Sequence, residues 1–215
     1  MHIITELFQI KNCNAIFTET FKNNKRNWEL TDTNNEKSII DAGFYWMNNN
    51  SLNDWNYYKI KTGLQKNEDF VIDAIIQTEK QEEEFMHFGL VWGFDKNFDY
   101  LNRFTLSADG KRAIIMNFEK NHHHIIHRFH KRKLPKINMN EPVQFSIIKL
   151  NGNFYFLINK YIVYIAHESL FVNSGNYAGY YIEPGLSIKS NFFEVKKIKS
   201  KALEVTTGLQ QLISA

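Results

Sequence analysis

The residues with most chemistry to offer lie in one run, His122-His123-His124-Ile125-Ile126-His127-Arg128-Phe129-His130, which holds five imidazoles in nine residues. On a strand, alternation places His122, His124, Arg128 and His130 on one face and His123, Ile125, His127 and Phe129 on the other. Two histidines two apart can hold zinc, but a site needs three or four ligands. Here the Arg128 guanidinium stands with the best trio and repels a cation, so no metal and no cofactor are expected. The run continues into Lys131-Arg132-Lys133 and Lys136, and Lys120 to Lys136 holds six Lys or Arg and no acid. That stripe, led by His124, Arg128, His130 and Arg132, could meet phosphates or an acidic protein surface with salt-sensitive affinity. Without such a partner its charges simply keep the edge of a hairpin in solution.

Carboxylates are the next candidates. In Gln81-Glu82-Glu83-Glu84-Phe85-Met86, Glu82 and Glu84 share a face if the segment is extended. They are the only pair resembling the acid and base of a glycosidase, and the simpler expectation is an acidic hairpin loop. Asp95 and Asp99 lie beyond the next strand. No G-x-S-x-G motif occurs, and Cys13 has no recognisable catalytic context. For a neutral ligand the candidates are aromatic. Trp46, Trp55, Tyr57 and Tyr58 flank the loop Asn48-Asn49-Asn50, and Asn50 offers donors and acceptors beside them. A sugar needs flat rings against its C–H faces and a few convergent polar groups. Trp28 and Trp92 are assigned to the core.

These side chains need strands to position them, and strands are what the pattern provides. In Phe70-Val71-Ile72-Asp73-Ala74-Ile75-Ile76 one face carries Phe70, Ile72, Ala74 and Ile76. Asn151-Gly152 predicts a tight turn between Phe145–Leu150 and Phe154–Ile158, because Asn-Gly accepts the positive φ angles of a primed hairpin. Asn159-Lys160 and Asp109-Gly110 predict two more. Strands spaced about 8–12 residues apart indicate a sandwich or barrel, and no βαβ alternation is present.

The chain has 215 residues, 43% hydrophobic and 15% aromatic, enough for one all-β domain with a sizeable core. Its net charge of +3 does not by itself indicate a nucleic-acid binder. One cysteine excludes an internal disulfide. The start, Met1-His2-Ile3-Ile4-Thr5-Glu6, lacks a basic and apolar leader pattern, and no apolar run approaches a membrane span, so a cytoplasmic location away from membranes is expected. Two units are expected: residues 1–200 as the sandwich, and residues 201–215 as a short helix or tail. In the tail Ala202, Val205, Leu209, Leu212 and Ile213 line one side of a helix.

Beyond composition, a set of spaced residues carries a family resemblance. Phe17-x-x-x-Phe21 and Trp28, Gly43-Phe44-Tyr45, Gly89-Leu90-Val91-Trp92, Tyr100-x-Asn102-Arg103-Phe104, Asn159 and Gly179 follow one another over roughly residues 15–199. In these features the chain resembles the concanavalin A-like lectin/glucanase superfamily, most nearly the bacterial 3-keto-disaccharide hydrolase-like domains. The resemblance implies a two-sheet antiparallel β-sandwich of jelly-roll type. It also implies a glycan-related role, in members that include enzymes, binders and accessory modules. Laminarinase-like members carry an E-x-D-x-E strand, and around Glu82 and Glu84 that pattern is absent, since Met86 takes the third position. The expected function is therefore a non-catalytic recognition module holding a saccharide or a protein partner on its concave sheet or loop rim. The alternatives are a glycoside-acting hydrolase and a structural subunit of an intracellular assembly with an anionic partner.

Overall fold

The computed structural model describes residues 13–65, 67–81, 85–94, 100–119, 122–130, 134–171 and 176–198. The tail 201–215, Glu82, Glu84, Asp95, Asp99 and Arg132 lie outside them. Fifteen strands make up the described fold: β1 (Cys13–Glu19), β2 (Thr31–Asp32), β3 (Glu36–Asp41), β4 (Phe44–Asn49), β5 (Asn56–Lys61), β6 (Phe70–Gln81), β7 (His87–Phe94), β8 (Tyr100–Ser107), β9 (Arg112–Glu119), β10 (His122–His130), β11 (Val143–Leu150), β12 (Asn153–Ile158), β13 (Tyr161–His167), β14 (Tyr177–Ile182) and β15 (Leu186–Ile198).

All pairings are antiparallel and form two sheets. The larger runs β13-β12-β11-β6-β15-β4-β3-β2, with β1 added along β15; the smaller runs β10-β9-β8-β7-β14-β5. The long strand β15 serves two neighbours on one side. Its first part pairs with β4 through Ser190, and its second part, from Phe193, pairs with β1. The predicted turns are present. Asn151 and Gly152 have φ of 49° and 77°, and Asn159 and Lys160 have 50° and 69°, so both hairpins close through left-handed residues that suit the strand twist. Gly110, at φ 68°, turns β8 into β9.

The core lies between the sheets. Phe70, Ile72, Ala74 and Ile76 of β6 point into it, as their alternation predicts, and Phe88, Leu90 and Trp92 of β7 meet them from the other side. One end is dominated by aromatics: Trp28 lies 5.5 Å from Tyr180 and 5.1 Å from Phe193, and Phe21 lies 5.4 Å from Tyr45. Trp28 and Trp92 are core residues, as expected.

A second set of side chains points away from this core. On the smaller sheet the outward positions form registered rows across β5, β14, β7, β8 and β9. One row reads Tyr57, Tyr181, Gly89, Thr105, Ile114, and the next reads Lys59, Gly179, Val91, Arg103, Met116. Val91, Phe94, Leu101 and Tyr181 form a buried apolar cluster there, against which Tyr57, Phe118 and Tyr177 pack half-buried.

Candidate functional site

The outward rows of the smaller sheet converge on a corner built from Trp55, Tyr57, Tyr181 and Arg103. Tyr57 and Tyr181 face each other across β5 and β14 with ring centroids 5.4 Å apart. The Arg103 guanidinium lies 4.1 Å from the centre of the Tyr181 ring and 5.7 Å from that of Trp55. A cation over a ring face is attracted by the ring's quadrupole, and the attraction grows where water is excluded. Here it is excluded, since Arg103 is 7% exposed while Trp55 is 44% exposed. The corner therefore has a buried charge and an accessible aromatic edge.

Two neighbouring positions carry no side chain. Gly179 sits between Lys59 and Val91, and Gly89 between Tyr181 and Thr105. A Cβ on Gly179 would run into the carbonyl oxygen of Tyr58, and one on Gly89 into that of Phe104. The sheet's close strand approach thus requires glycine at both places.

Each aromatic is held by an identifiable device. The loop that delivers Trp55 is pinned by Asn49, which is fully buried. Its Nδ2 donates to the carbonyl oxygens of Asp54 (2.8 Å) and Ile182 (3.2 Å), and its Oδ1 accepts from the Ser51 amide (3.1 Å) and hydroxyl (2.7 Å). Tyr181 donates its phenol proton to Glu183 Oε1 at 3.0 Å, and Glu183 Oε2 accepts the His87 amide at 2.7 Å, with His87 Nδ1 3.3 Å away. Burial alone would push the Glu183 carboxyl up, but the hydrogen bonds and charge of His87 outweigh it and hold the carboxyl below its usual range. Burial, opposed by the adjacent Arg103, raises the Tyr57 phenol. Both tyrosines are neutral near pH 7.

The aromatic candidates divide three ways. Trp55 and Tyr57 meet at the corner. Tyr58 does not: it is fully buried between the sheets, its ring 5.9 Å from Tyr45 and its hydroxyl donating to the Asn48 carbonyl at 3.3 Å. Adjacent strand residues point oppositely, so Tyr57 and Tyr58 cannot serve one surface. Trp46 is on the larger sheet, facing away from the core beside Phe44, with Lys189 Nζ 4.8 Å from its ring centre. It belongs to the opposite face of the sandwich. Asn50 is an exposed residue of the Trp55 loop, its amide donating to Asn35 O at 2.8 Å.

The histidine run forms β10 at the edge of the smaller sheet. A register shift between Ile125 and His127 places His124 opposite Asn117, Arg128 opposite Ile114 and His130 opposite Arg112. Asn117 and Ile114 are an odd number of residues apart, so the unbroken alternation assumed from the sequence does not hold across the bulge. His127 stacks on Tyr164 of the larger sheet with centroids 4.3 Å apart.

The residues missed from sequence are Arg103, Tyr181 and Glu183. Arg103 stood inside the resemblance as part of Asn102-Arg103-Phe104. Its signal was available in the alternation Leu101, Arg103, Thr105, which places a charge in mid-strand.

No family model matches the sequence, and no curated protein matches it. Among solved structures the chain is similar to a Bacillus subtilis protein of unknown function with a galectin-like fold, with a TM-score of 0.66 and 10% identity over 88% of this chain and 99% of that one. It is also similar to an endo-β-1,3-glucanase from Pyrococcus furiosus, with a TM-score of 0.62 and 10% identity over 87% and 95% of the two chains. A third is the CBM2 module of the evolved Dit of Lactobacillus casei BL23 phage J-1, at 0.60 and 9% over 88% and 98%. Likeness at such identity establishes the fold: an all-β, concanavalin A-like and galectin-like sandwich.

Proposed function

We propose that the chain is a non-catalytic saccharide-binding module whose ligand lies on the outer face of the smaller sheet, with Trp55 and Tyr57 as its aromatic contacts. The observation that carries this reading is the exposed Trp55 ring, which shares the Arg103 guanidinium with Tyr181, whose ring in turn faces Tyr57. A pyranose has flat C–H faces that pack on such rings. That neighbours of the same fold include carbohydrate-binding and glucanase domains agrees with a saccharide as the ligand class. A hydrolytic reading, as the 3-keto-disaccharide hydrolase likeness would suggest, needs paired carboxylates. Among the described residues, the outward positions of the smaller sheet on β5, β14, β7, β8 and β9 carry none, and Glu183, just past β14, is held by Tyr181 and His87.

The test is a glycan-array screen followed by calorimetry on the best saccharide. Trp55→Ala is expected to weaken binding by about tenfold or more, a loss of roughly 1.4 kcal/mol, with the melting temperature little changed. Trp46→Ala, on the opposite face, is the control and leaves affinity intact. Equal affinities for wild type and Trp55→Ala would place the site elsewhere.

A further inference from the structure

Arg103 is more than the proposed sugar site requires. It is 7% exposed, and its Nε and Nη1 are buried without a hydrogen-bond partner. Nη2 is against Met116 Sδ, a weak acceptor that carries no charge. The Tyr57 phenol lies beside the guanidinium, yet neither Nε nor Nη1 donates to it in good geometry. Taking a full charge out of water without a counter-charge is costly, and ring faces return only part of that cost. Glu183 is already engaged by Tyr181 and His87.

We infer that the saccharide is anionic, carrying one acidic group (a uronate carboxylate or a sulfate half-ester) that pairs with Arg103 while its ring packs on Trp55. This rests on the saccharide site proposed above and names the ligand class for it. A singly charged oxyanion supplies acceptors to Nε and Nη1 and a counter-charge that no described residue gives Arg103 by a hydrogen bond or ion pair, as a charge-assisted hydrogen bond in a dry setting. Trp55 is the exposed ring of the cage and lies outside the paired strands, so an approaching ligand meets it first. Specificity follows from the same buried charge, because a neutral sugar entering this corner leaves Arg103 as unpaired as before.

The experiment compares oligouronate, sulfated and neutral tetrasaccharides for binding to the full chain, at low salt and at about 0.5 M salt. The expected result is that an acidic tetrasaccharide binds at least about tenfold tighter than the neutral one of the same length and weakens as salt rises. Arg103→Gln should erase that preference, Arg103→Lys should keep part of it, and quenching of Trp55 fluorescence on binding should accompany it. The uronate and sulfated arms identify which anion is taken. If Arg103→Gln fails to fold, by circular dichroism, the preference and its salt dependence in the wild-type chain decide. Neutral tetrasaccharides bound as tightly as acidic ones would overturn the inference and leave the saccharide site standing. Absence of binding to all three would remove both.

Discussion

At the scale of single residues, the corner depends on polar groups that hold aromatic rings rather than touch a ligand. Glu183 is the clearest case. Its carboxyl is held low by His87, so it contributes stability that is present above the unfolded value of an ordinary Glu and is lost as pH falls through the lower folded value. The expected result is a melting temperature that declines as pH drops from about 5 to about 3, and less steeply in Glu183→Gln than in wild type. Glu68, Asp109 and Glu168 are also held low, so the difference between the two proteins is what reports on Glu183. Parallel profiles would mean that its hydrogen bonds to Tyr181 and His87 add nothing. Saccharide affinity should fall over the same interval, since a protonated Glu183 is a weaker acceptor for the Tyr181 phenol and the His87 amide.

At the scale of elements, the smaller sheet is constrained by what its strands omit. Gly179 in β14 abuts the Tyr58 carbonyl of β5, and Gly89 in β7 abuts the Phe104 carbonyl of β8. Backbone cannot give way as a flexible side chain can. Gly179→Ala is therefore expected to cost roughly 2–4 kcal/mol, read as a shift in the midpoint of chemical denaturation. A change under about 0.5 kcal/mol would show that β5 and β14 can separate freely there. The Asp109-Gly110 turn located the β8–β9 hairpin, and sequence alternation located β6 well because one face of it is core. It was less reliable for β10, where a bulge at the sheet edge changes the register and nothing in the order of residues announces it.

For the whole molecule, stability is concentrated where the sheets close over aromatics. Trp28 joins Phe21, Tyr45, Tyr180 and Phe193, linking the stretch before β2 to β4, β14 and β15. Trp28→Ala should cost about 3–5 kcal/mol, a cavity among rigid rings that cannot collapse, measured by denaturant unfolding. A loss below about 1 kcal/mol would mean that the cluster repacks. Because this cluster and the Trp55–Arg103 corner lie on opposite faces of the smaller sheet, the loss is one of folding rather than of contact at the proposed site.

The sequence by itself determined the class of fold. Period-two alternation, Asn-Gly and Asn-Lys at hairpin turns, and spaced glycines and aromatics are local signals, and each states which way a neighbouring side chain points. It also singled out Trp55 and Tyr57, since aromatics beside a polar loop are visible in one dimension. Only the tertiary structure decided which of four nearby aromatics could act together. Trp46 went to the other sheet, Tyr58 went into the core, and Arg103 and Tyr181, 46 and 124 residues beyond Tyr57 in the chain, arrived beside it. The physical reason is that a site on a sheet is assembled across strands, perpendicular to the chain. Strand order and register, set by long-range packing, bring together residues whose spacing in sequence carries no sign of it.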